Sequence, residues 1–235
     1  TTLRVYGGDL LGNMWRFDVN DTIGTAGREA ELLGTAKDSS GIAQPISTRP
    51  ELALNGSSAF VMFATGKMIG TDDLTDTQTQ TIYGAVDPLT AGTSYTDLRG
   101  SLRPLAMTTA ADNSRTIACT GNTAQCNNSN GWRVDLPQSG ERVNVDMKLQ
   151  LGTLVVASNL PQSSACTVGG QSWLNYFNFT TGLAVANSTG GKVSQKLSDS
   201  LAVGLNIVRL PDGRTVVITT TSDAKQTTIG APFDT

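Results

Sequence analysis

The chain has 235 residues, a formal net charge of −3 and 16% charged residues, and it is rich in glycine, threonine, serine and asparagine. This balance disfavours a nucleic-acid-binding surface, which needs a basic face, and no run approaches the ~18 apolar residues of a membrane span. The length suffices for one large all-β domain or two small ones, and the polar, weakly charged composition favours a secreted or cell-surface protein over a cytosolic enzyme.

The chain opens on a strand–turn–strand pattern, "RVYGGDLLGNMWRFDV" (4–19), whose second strand runs into Asp18. Later strands end in the same way, on Asp87, Asp135 and Asn178. The four ends are 69, 48 and 43 residues apart. The last two intervals match the ~40–50 residues of a propeller blade, and the first fits a blade with an insertion. The opening stretch is therefore interpreted as one copy of a repeated unit.

Further strand patterns follow in "RPELAL", "GTLVVASNLP" and "LNIVRLPDGRTVVITTT", the last with a hairpin signal at Pro211-Asp212-Gly213. Helical periodicity is weak, even in "GREAELLGTAKD" (27–38). We predict a single all-β domain over 1–235, a β-propeller-like fold of about five blades, or fewer if the insertions are large. Because open strand edges are a liability, this array must close on itself, cover its ends or form part of a larger propeller.

Three cysteines bear on the compartment. Cys119 and Cys126 bracket the polar loop "CTGNTAQC", and a disulfide between them would indicate an oxidising environment. Two free thiols or a pair of metal thiolates are the alternatives, but the sequence has no histidine, and Cys166 is the remaining soft ligand. We predict the disulfide and leave Cys166 without an assigned partner.

Three tryptophans occupy comparable places in the repeated units. Trp15, Trp132 and Trp173 each lie among polar residues at alternating positions of a strand. This pattern predicts buried blade-core residues, which we favour over a carbohydrate-stacking surface.

Chemistry-bearing residues are sparse. Without histidine there is no Ser-His or Cys-His relay, so we predict no catalytic residues and no enzyme. Carboxylates in "GTDDLTD" (70–76), namely Asp72, Asp73 and Asp76, suit calcium, and "DVNDTIGTAGRE" (18–29) partly follows an EF-hand count. That second loop has Ile23 where the sharp turn needs glycine, and Asp and Asn are ordinary loop residues. We therefore assign no metal and no cofactor to this chain.

The motifs "VYGGDLLGNMWRFDV", "QPISTRPEL", "FATGKMIG", "TIYGAVD", "GWRVDLPQSGERV" and "CTVGGQSWLNYFNFTTG" occur in the order found in one family. They resemble the C-terminal β-propeller domain of the PilC/PilY family of type IV pilus tip-associated adhesins and biogenesis proteins. The resemblance runs from about Arg4 to Thr220. It implies a C-terminal fragment of a larger secreted protein. Some members carry an Asp-rich calcium loop directly before the "VYGGDL" strand, where this chain has Thr1-Thr2-Leu3. Calcium would therefore act through an upstream loop of the parent protein.

The expected function is binding at the pilus tip, with roles in pilus biogenesis against retraction, surface adhesion and twitching motility. The expected partners are pilin or minor pilins and a host or surface ligand, at the bacterial cell surface. A generic extracellular glycan- or protein-binding propeller and a secreted hydrolase are the alternatives. Recognition would reside in variable loops such as "MIGTDDLTDTQTQ" (68–80) and "CTGNTAQCNNSN" (119–130).

Overall fold

The computed structural model describes residues 3–23, 30–162 and 169–233. In these ranges the chain forms strands joined by turns and short helical segments, of which the α-helices are α1 (Leu98–Ser101) and α2 (Thr123–Cys126). The predicted all-β fold class is confirmed.

The first sheet, layer 1, has the antiparallel order β1-β2-β3, with β1 (Arg4–Gly8), β2 (Asn13–Asp18) and β3 (Ala30–Thr35). Its first turn is closed by Asp9, whose carboxylate accepts hydrogen bonds from the backbone N–H groups of Leu11 and Asn13, both at 2.9 Å. Gly12 follows with a φ of 84°, a left-handed conformation that glycine adopts without strain. Local turn chemistry therefore brings β2 back alongside β1.

Ten strands form one continuous sheet: β4 (Glu51–Asn55), β5 (Ser58–Ala64), β6 (Thr81–Asp87), β7 (Arg103–Thr109), β8 (Arg115–Cys119), β9 (Gly131–Asp135), β10 (Lys148–Gln150), β11 (Thr153–Pro161), β12 (Gly170–Asn178) and β13 (Lys192–Ser198). Strands β4-β5-β6-β9 form a four-stranded antiparallel group, layer 2, and β10-β11-β12-β13 form a second, layer 3. The β7–β8 hairpin joins the two groups, because β7 pairs in parallel with β9 and β8 pairs with β13. At the other end β4 contacts β10, so the sheet nearly closes into a barrel.

The last sheet, layer 4, has the antiparallel order β14-β15-β16, with β14 (Ala202–Arg209), β15 (Thr215–Thr221) and β16 (Gln226–Gly230). The turn predicted at Pro211-Asp212-Gly213 joins β14 to β15, and the N–H of Gly213 donates to the carbonyl oxygen of Leu210 at 2.9 Å.

Apolar clusters lie between successive layers. Between layers 1 and 2 the cluster includes Met14, Leu33, Val61, Phe63 and Tyr83. Between layers 2 and 3 it includes Met62, Ile82, Trp132, Leu154, Val156 and Phe177. Between layers 3 and 4 it includes Val155, Leu174, Ala202, Leu205 and Val217. The four layers thus stack face to face, as blades do in a propeller, and the predicted β-propeller-like fold is confirmed.

The continuous apolar sequence of β5 follows from this stacking. Phe60 and Met62 face the cluster shared with layer 3, whereas Val61 and Phe63 face the cluster shared with layer 1. Successive side chains of a strand point to opposite faces, and both faces of layer 2 are covered. A strand in this position therefore has no solvent-facing side to make polar.

One part of the predicted repeat is wrong. Asp87 and Asp135 end β6 and β9, which are neighbours in layer 2, with Asp135 opposite Thr81. The 48-residue interval is not a blade, because it contains the β7–β8 hairpin inserted between two strands of one layer. Asp18, Asp87 and Asn178 do end strands of three successive layers. The described residues form four layers, within the expectation of about five blades or fewer where insertions are large.

Candidate functional site

The two loops predicted to carry recognition lie at opposite ends of the stacked layers. The predicted segment 68–80 belongs to loop 65–80, which leads into β6 at Thr81, and loop 119–130 leads into β9 at Gly131. Because Thr81 pairs with Asp135 and Gly131 pairs with Ala85, these two strand starts lie at opposite ends of the antiparallel β6–β9 pair. The structure therefore does not combine the two loops into one site.

At the Gly131 end, a disulfide joins Cys119 and Cys126 with a Cα–Cα distance of 5.9 Å. Between them Asn122 caps α2, accepting a hydrogen bond from the N–H of Gln125 at 3.0 Å. The loop is attached to β7 through Arg103, which donates to the carbonyl oxygen of Asn128 at 3.0 Å. Cys166 lies outside the described residues.

At the Thr81 end, four connecting segments adjoin one another: 9–12, 36–47, 65–80 and 136–147. The N–H of Ile46 donates to Asp9, that of Gly66 to Pro45, and that of Val143 to Thr65, each through a backbone carbonyl oxygen at 2.7–3.0 Å. We call this set of segments the loop surface.

Arg142 organises the loop surface from beneath. It is 2% exposed, and its guanidinium donates to backbone carbonyl oxygens at four positions: Gly140 (2.9 Å), Lys67 (3.1 Å), Asp73 (2.5 Å) and Asp76 (2.6 Å). Burial lowers the pKa of Arg142, although the neighbouring Asp76 and Asp73 act in the opposite direction. A rigid, forked donor of this kind fixes the path of loop 65–80, whose regular structure is limited to one 3-10 turn at Thr71–Leu74.

Gly66 permits this arrangement. Its φ is 127°, and a Cβ at this position would lie 2.5 Å from the Cβ of Arg142. The chain can therefore pass directly over Arg142 only where the residue lacks a side chain. Substitution of Gly66 would displace the start of loop 65–80 from its support.

Asp73 anchors the tip of loop 65–80. Its carboxylate is paired with Lys67 and accepts hydrogen bonds from the backbone N–H groups of Ile69 (2.7 Å) and Gly70 (3.0 Å). Burial alone would raise the pKa of Asp73, but the hydrogen bonds from Lys67, Gly70 and Ile69 outweigh it and lower the pKa to about 2. Asp73 is therefore ionised and already fully engaged at neutral pH.

The three carboxylates of this loop do not converge. Asp72 is exposed, Asp73 is buried, and Asp76 accepts a hydrogen bond from the N–H of Gln78 at 2.8 Å. Over the ranges that the structure describes, no three acidic or cysteine side chains are grouped so as to hold a metal ion. In the EF-hand-like stretch Asp18 instead closes a turn by accepting from the N–H of Ile23 at 2.7 Å. Glu29, its last candidate ligand, lies outside the described residues.

A second polar network supports the loop surface at the end of β9. The carboxylate of Asp135 accepts two hydrogen bonds from the guanidinium of Arg99, at 2.9 and 2.5 Å, and one from the hydroxyl of Thr81 at 2.8 Å. Burial of Asp135 opposes its ionisation, but these bonds prevail and lower its pKa. Gln44 connects the network to segment 36–47, donating to Thr81 at 2.8 Å and accepting from the hydroxyl of Tyr83 at 2.9 Å.

Large apolar side chains are exposed on the loop surface. Leu10 is 52% exposed, Leu11 71%, Ile42 60% and Ile69 70%. A separate cleft of about 530 Å³ opens between two of the loop segments and the end of β11, lined by Leu74–Thr77, Ser139, Gly140, Arg142 and Leu160–Gln162. Exposed apolar groups rimmed by polar ones are typical of protein-binding sites. Sequence reasoning missed Leu10 and Leu11, although two leucines inside a tight turn are a signal in themselves.

Two of the three tryptophans, Trp132 and Trp173, are buried as predicted. Trp132 is 0% exposed and donates its indole N–H to the carbonyl oxygen of Phe179 at 2.8 Å. Trp173 is 1% exposed and lies 4.5 Å from the guanidinium of Arg115. They occupy the fourth strand of layer 2 and the third of layer 3, so their places in the layers are not equivalent.

The prediction that Trp15 is a buried core residue is wrong. In β2 the alternate residues Met14 and Arg16 face layer 2 and are 0% exposed. Trp15 points to the opposite face of layer 1, where it is partly exposed and donates to the carboxylate of Asp9 at 3.0 Å. Side chains of β2 do alternate between a buried and a more exposed face, as predicted, but Trp15 lies on the more exposed face.

No helix among the described residues is long and apolar enough to cross a membrane.

Comparison with known proteins gives consistent relatives, although no family model matches the chain. The chain is 28% identical over 231 residues to a type IV pilus biogenesis factor PilY1 homolog of Xylella fastidiosa, covering 90% of this chain and 18% of that protein. It is 29% identical over 246 residues to PilY1 of Pseudomonas aeruginosa, covering 85% of this chain and 20% of that protein. The chain thus spans about a fifth of the length of these relatives.

The fold is similar to the crystal structure of the Pseudomonas aeruginosa PilY1 C-terminal domain, with a TM-score of 0.70 and 20% sequence identity. The match covers 97% of this chain and 57% of that domain. The resemblance to the PilC/PilY family that the ordered motifs indicated is thereby confirmed.

Proposed function

We propose that this chain is a binding domain of a type IV pilus biogenesis factor, exposed at the cell surface and acting at the pilus tip. The observation that carries the proposal is its similarity, over most of its length, to proteins described as PilY1 biogenesis factors. The stacked sheets supply a rigid platform, and the loop surface supplies exposed apolar groups held by buried polar anchors. Assembly against retraction, adhesion and twitching motility are the roles we assign to it.

We propose binding rather than turnover. The sequence has no histidine, and the adjacent pair Asp72 and Asp73 does not form a glycosidase-type carboxylate pair, because Asp73 is held by Lys67 and two backbone N–H groups. The loop surface exposes both apolar side chains and polar groups, a combination that suits contact with the surface of a pilin or minor pilin.

We also propose that the chain needs no cofactor. Asp72, Asp73 and Asp76 point into different environments, so the isolated chain should bind calcium weakly or not at all. Isothermal titration calorimetry with Ca²⁺ is expected to show no saturable binding at micromolar concentration. Micromolar affinity, lost in Asp72→Asn, would contradict this part of the proposal.

Cosedimentation with sheared type IV pili tests the binding role. The purified chain should sediment with pili, and the double variant Ile69→Lys/Asp72→Lys, which alters only exposed groups of the loop surface, should lose this association. Leu151→Lys is the matched control, because Leu151 is 48% exposed and lies in the β10–β11 turn at the opposite end of the layers. Equal sedimentation of all three proteins would reject the loop surface as the binding site.

A further inference from the structure

Layer 1 has a free edge at β1. Strand β1 is the terminal strand of its sheet, and no described strand pairs with its outer side. The N–H of Val19 donates to the carbonyl oxygen of Leu3 at 3.0 Å, so Leu3 and Val19 are a hydrogen-bonded pair. In an antiparallel ladder such pairs alternate with non-bonded ones. The backbone N–H and C=O groups of Arg4 and Tyr6 therefore point away from β2, toward the free edge.

An apolar groove runs along this edge. A cleft of about 350 Å³ lies between Leu3, Arg4 and Tyr6 on one side and the segments 52–54 and 59–61 of layer 2 on the other. On its floor Leu52 is 47% exposed and Leu54 is 73% exposed. Both leucines alternate with Ala53, which packs toward the cluster shared with layer 3. They therefore face layer 1, where no described strand covers them.

Layers 2 and 3 show which element is missing at this position in the described part of layer 1. Layers 2 and 3 each have four strands, and in each the first strand, β4 or β10, leads through a tight turn into the second. Among the described residues layer 1 has three strands, and β1 lies across the groove from β4 and β5. The place beside β1 corresponds to that of β4 in layer 2. A strand there would satisfy the free backbone groups of Arg4 and Tyr6 and cover Leu52 and Leu54.

We propose that the groove along β1 receives an extended segment of the parent polypeptide, which pairs with Arg4–Gly8 as the fourth strand of layer 1. The relatives matched by this chain are about five times its length, and the matched domain is also longer. These relatives therefore have further polypeptide outside the part that aligns with this chain. The segment has apolar side chains opposite Arg4 and Tyr6, because those positions face layer 2. Main-chain hydrogen bonds supply pairing, and the alternating side chains supply specificity. This inference does not depend on the pilus role.

Amide hydrogen exchange measured by NMR or mass spectrometry tests this directly. In the 235-residue chain the amides of Arg4 and Tyr6 should exchange fast, while that of Val5, bonded to β2, should be slow. In the protein purified at its natural length, the Arg4 and Tyr6 amides should slow by about tenfold or more, as expected of ladder hydrogen bonds. Unchanged exchange at natural length would overturn the proposal.

A designed strand tests the groove independently. Residues 1–3 are replaced by Val-Thr-Val-Thr-Val-Asn-Gly, a strand and two-residue turn that place valines opposite Arg4 and Tyr6. This graft should protect both amides, whereas the same graft with lysines for valines should not. Within the valine graft, Leu54→Lys should restore fast exchange. Leu11→Lys, at an equally exposed leucine (71% against 73%), should not.

Two results would refute the inference from this design. Equal protection of the two amides by the valine and lysine grafts would show that the groove does not favour apolar side chains over charged ones. Protection in the unmodified 235-residue chain that rises with protein concentration, together with a dimer by light scattering, would show that a second copy occupies the edge instead.

Discussion

Arg115 and Glu141 form a buried ion pair. We expect the removal of one charge from this pair to lower the free energy of unfolding more than the removal of a charge from an exposed pair. Both side chains are 0% exposed, and the guanidinium donates to the two carboxylate oxygens at 2.7 and 2.9 Å. Ser158 donates a further hydrogen bond to Glu141 at 2.6 Å, and Trp173 covers the guanidinium. The substitution Glu141→Gln keeps the shape of this side chain and removes its charge.

The expected cost is large because the guanidinium would remain buried without a counter-charge. Breaking a buried pair by removing one partner costs about 3–5 kcal/mol, against a total stability on the order of 5–15 kcal/mol for a domain. Replacing both partners with apolar residues of similar size, Arg115→Met with Glu141→Leu, should cost less than Glu141→Gln alone, because no charge is then stranded.

Urea unfolding followed by fluorescence measures the effect. With a slope of about 2–3 kcal/mol/M for a chain of this size, Glu141→Gln should lower the midpoint by about 1–2.5 M. Lys192→Gln is the control, because it breaks an ion pair with Asp112 in which both side chains are about half exposed; its midpoint should hardly move. A midpoint of Glu141→Gln equal to that of the wild type would refute the reasoning that charge compensation holds this part of the core.

Three further predictions concern other parts of the molecule. Trp132→Ala should cost about 3–5 kcal/mol in the free energy of unfolding, and Trp15→Ala clearly less, because Trp15 lies partly exposed outside the cores; equal costs in urea titrations would contradict the assignment of faces. Cys119→Ser with Cys126→Ser should cost about 2 kcal/mol and leave the far-UV circular dichroism spectrum unchanged, and a global loss of structure would show that the bridge holds more than its loop. The pKa of Asp73 is lowered to about 2 in the folded state from about 3.9 in an unfolded chain. The contribution of Asp73 to the free energy of unfolding is therefore complete above about pH 4 and is lost as the pH falls toward about 2. Asp73→Asn should flatten the dependence of stability on pH in that window, and a profile identical to that of the wild type would contradict the anchoring role.

Sequence patterns predicted the fold class well because alternation and turn chemistry are local. Asp9 and Gly12 close the first turn with groups that lie within a few residues of each other. The apolar run of β5 required burial on both faces, which only stacked sheets provide. The assignment of the 48-residue interval to a blade failed at Asp135, because an insertion inside one layer and a step between two layers give similar intervals along the chain.

The candidate site was less predictable because its parts are joined by long-range contacts. Arg142 supports residues of a loop 66 to 75 positions earlier in the chain, and no local pattern distinguishes it from other arginines. Likewise the period of two in β2 indicates that Trp15 and Met14 face opposite ways, but not which face meets layer 2. That choice depends on the position of the second sheet.

Deletion of the gene that encodes this chain, with complementation, tests the central claim most directly. Cells that lack it should lose surface pili, counted by electron microscopy, or lose twitching zones on agar, and the wild-type gene should restore both. The complementing gene with Ile69→Lys/Asp72→Lys should restore less than the gene with Leu151→Lys at equal protein level. Normal pili and normal twitching in the deletion strain would contradict the assignment to type IV pilus biogenesis.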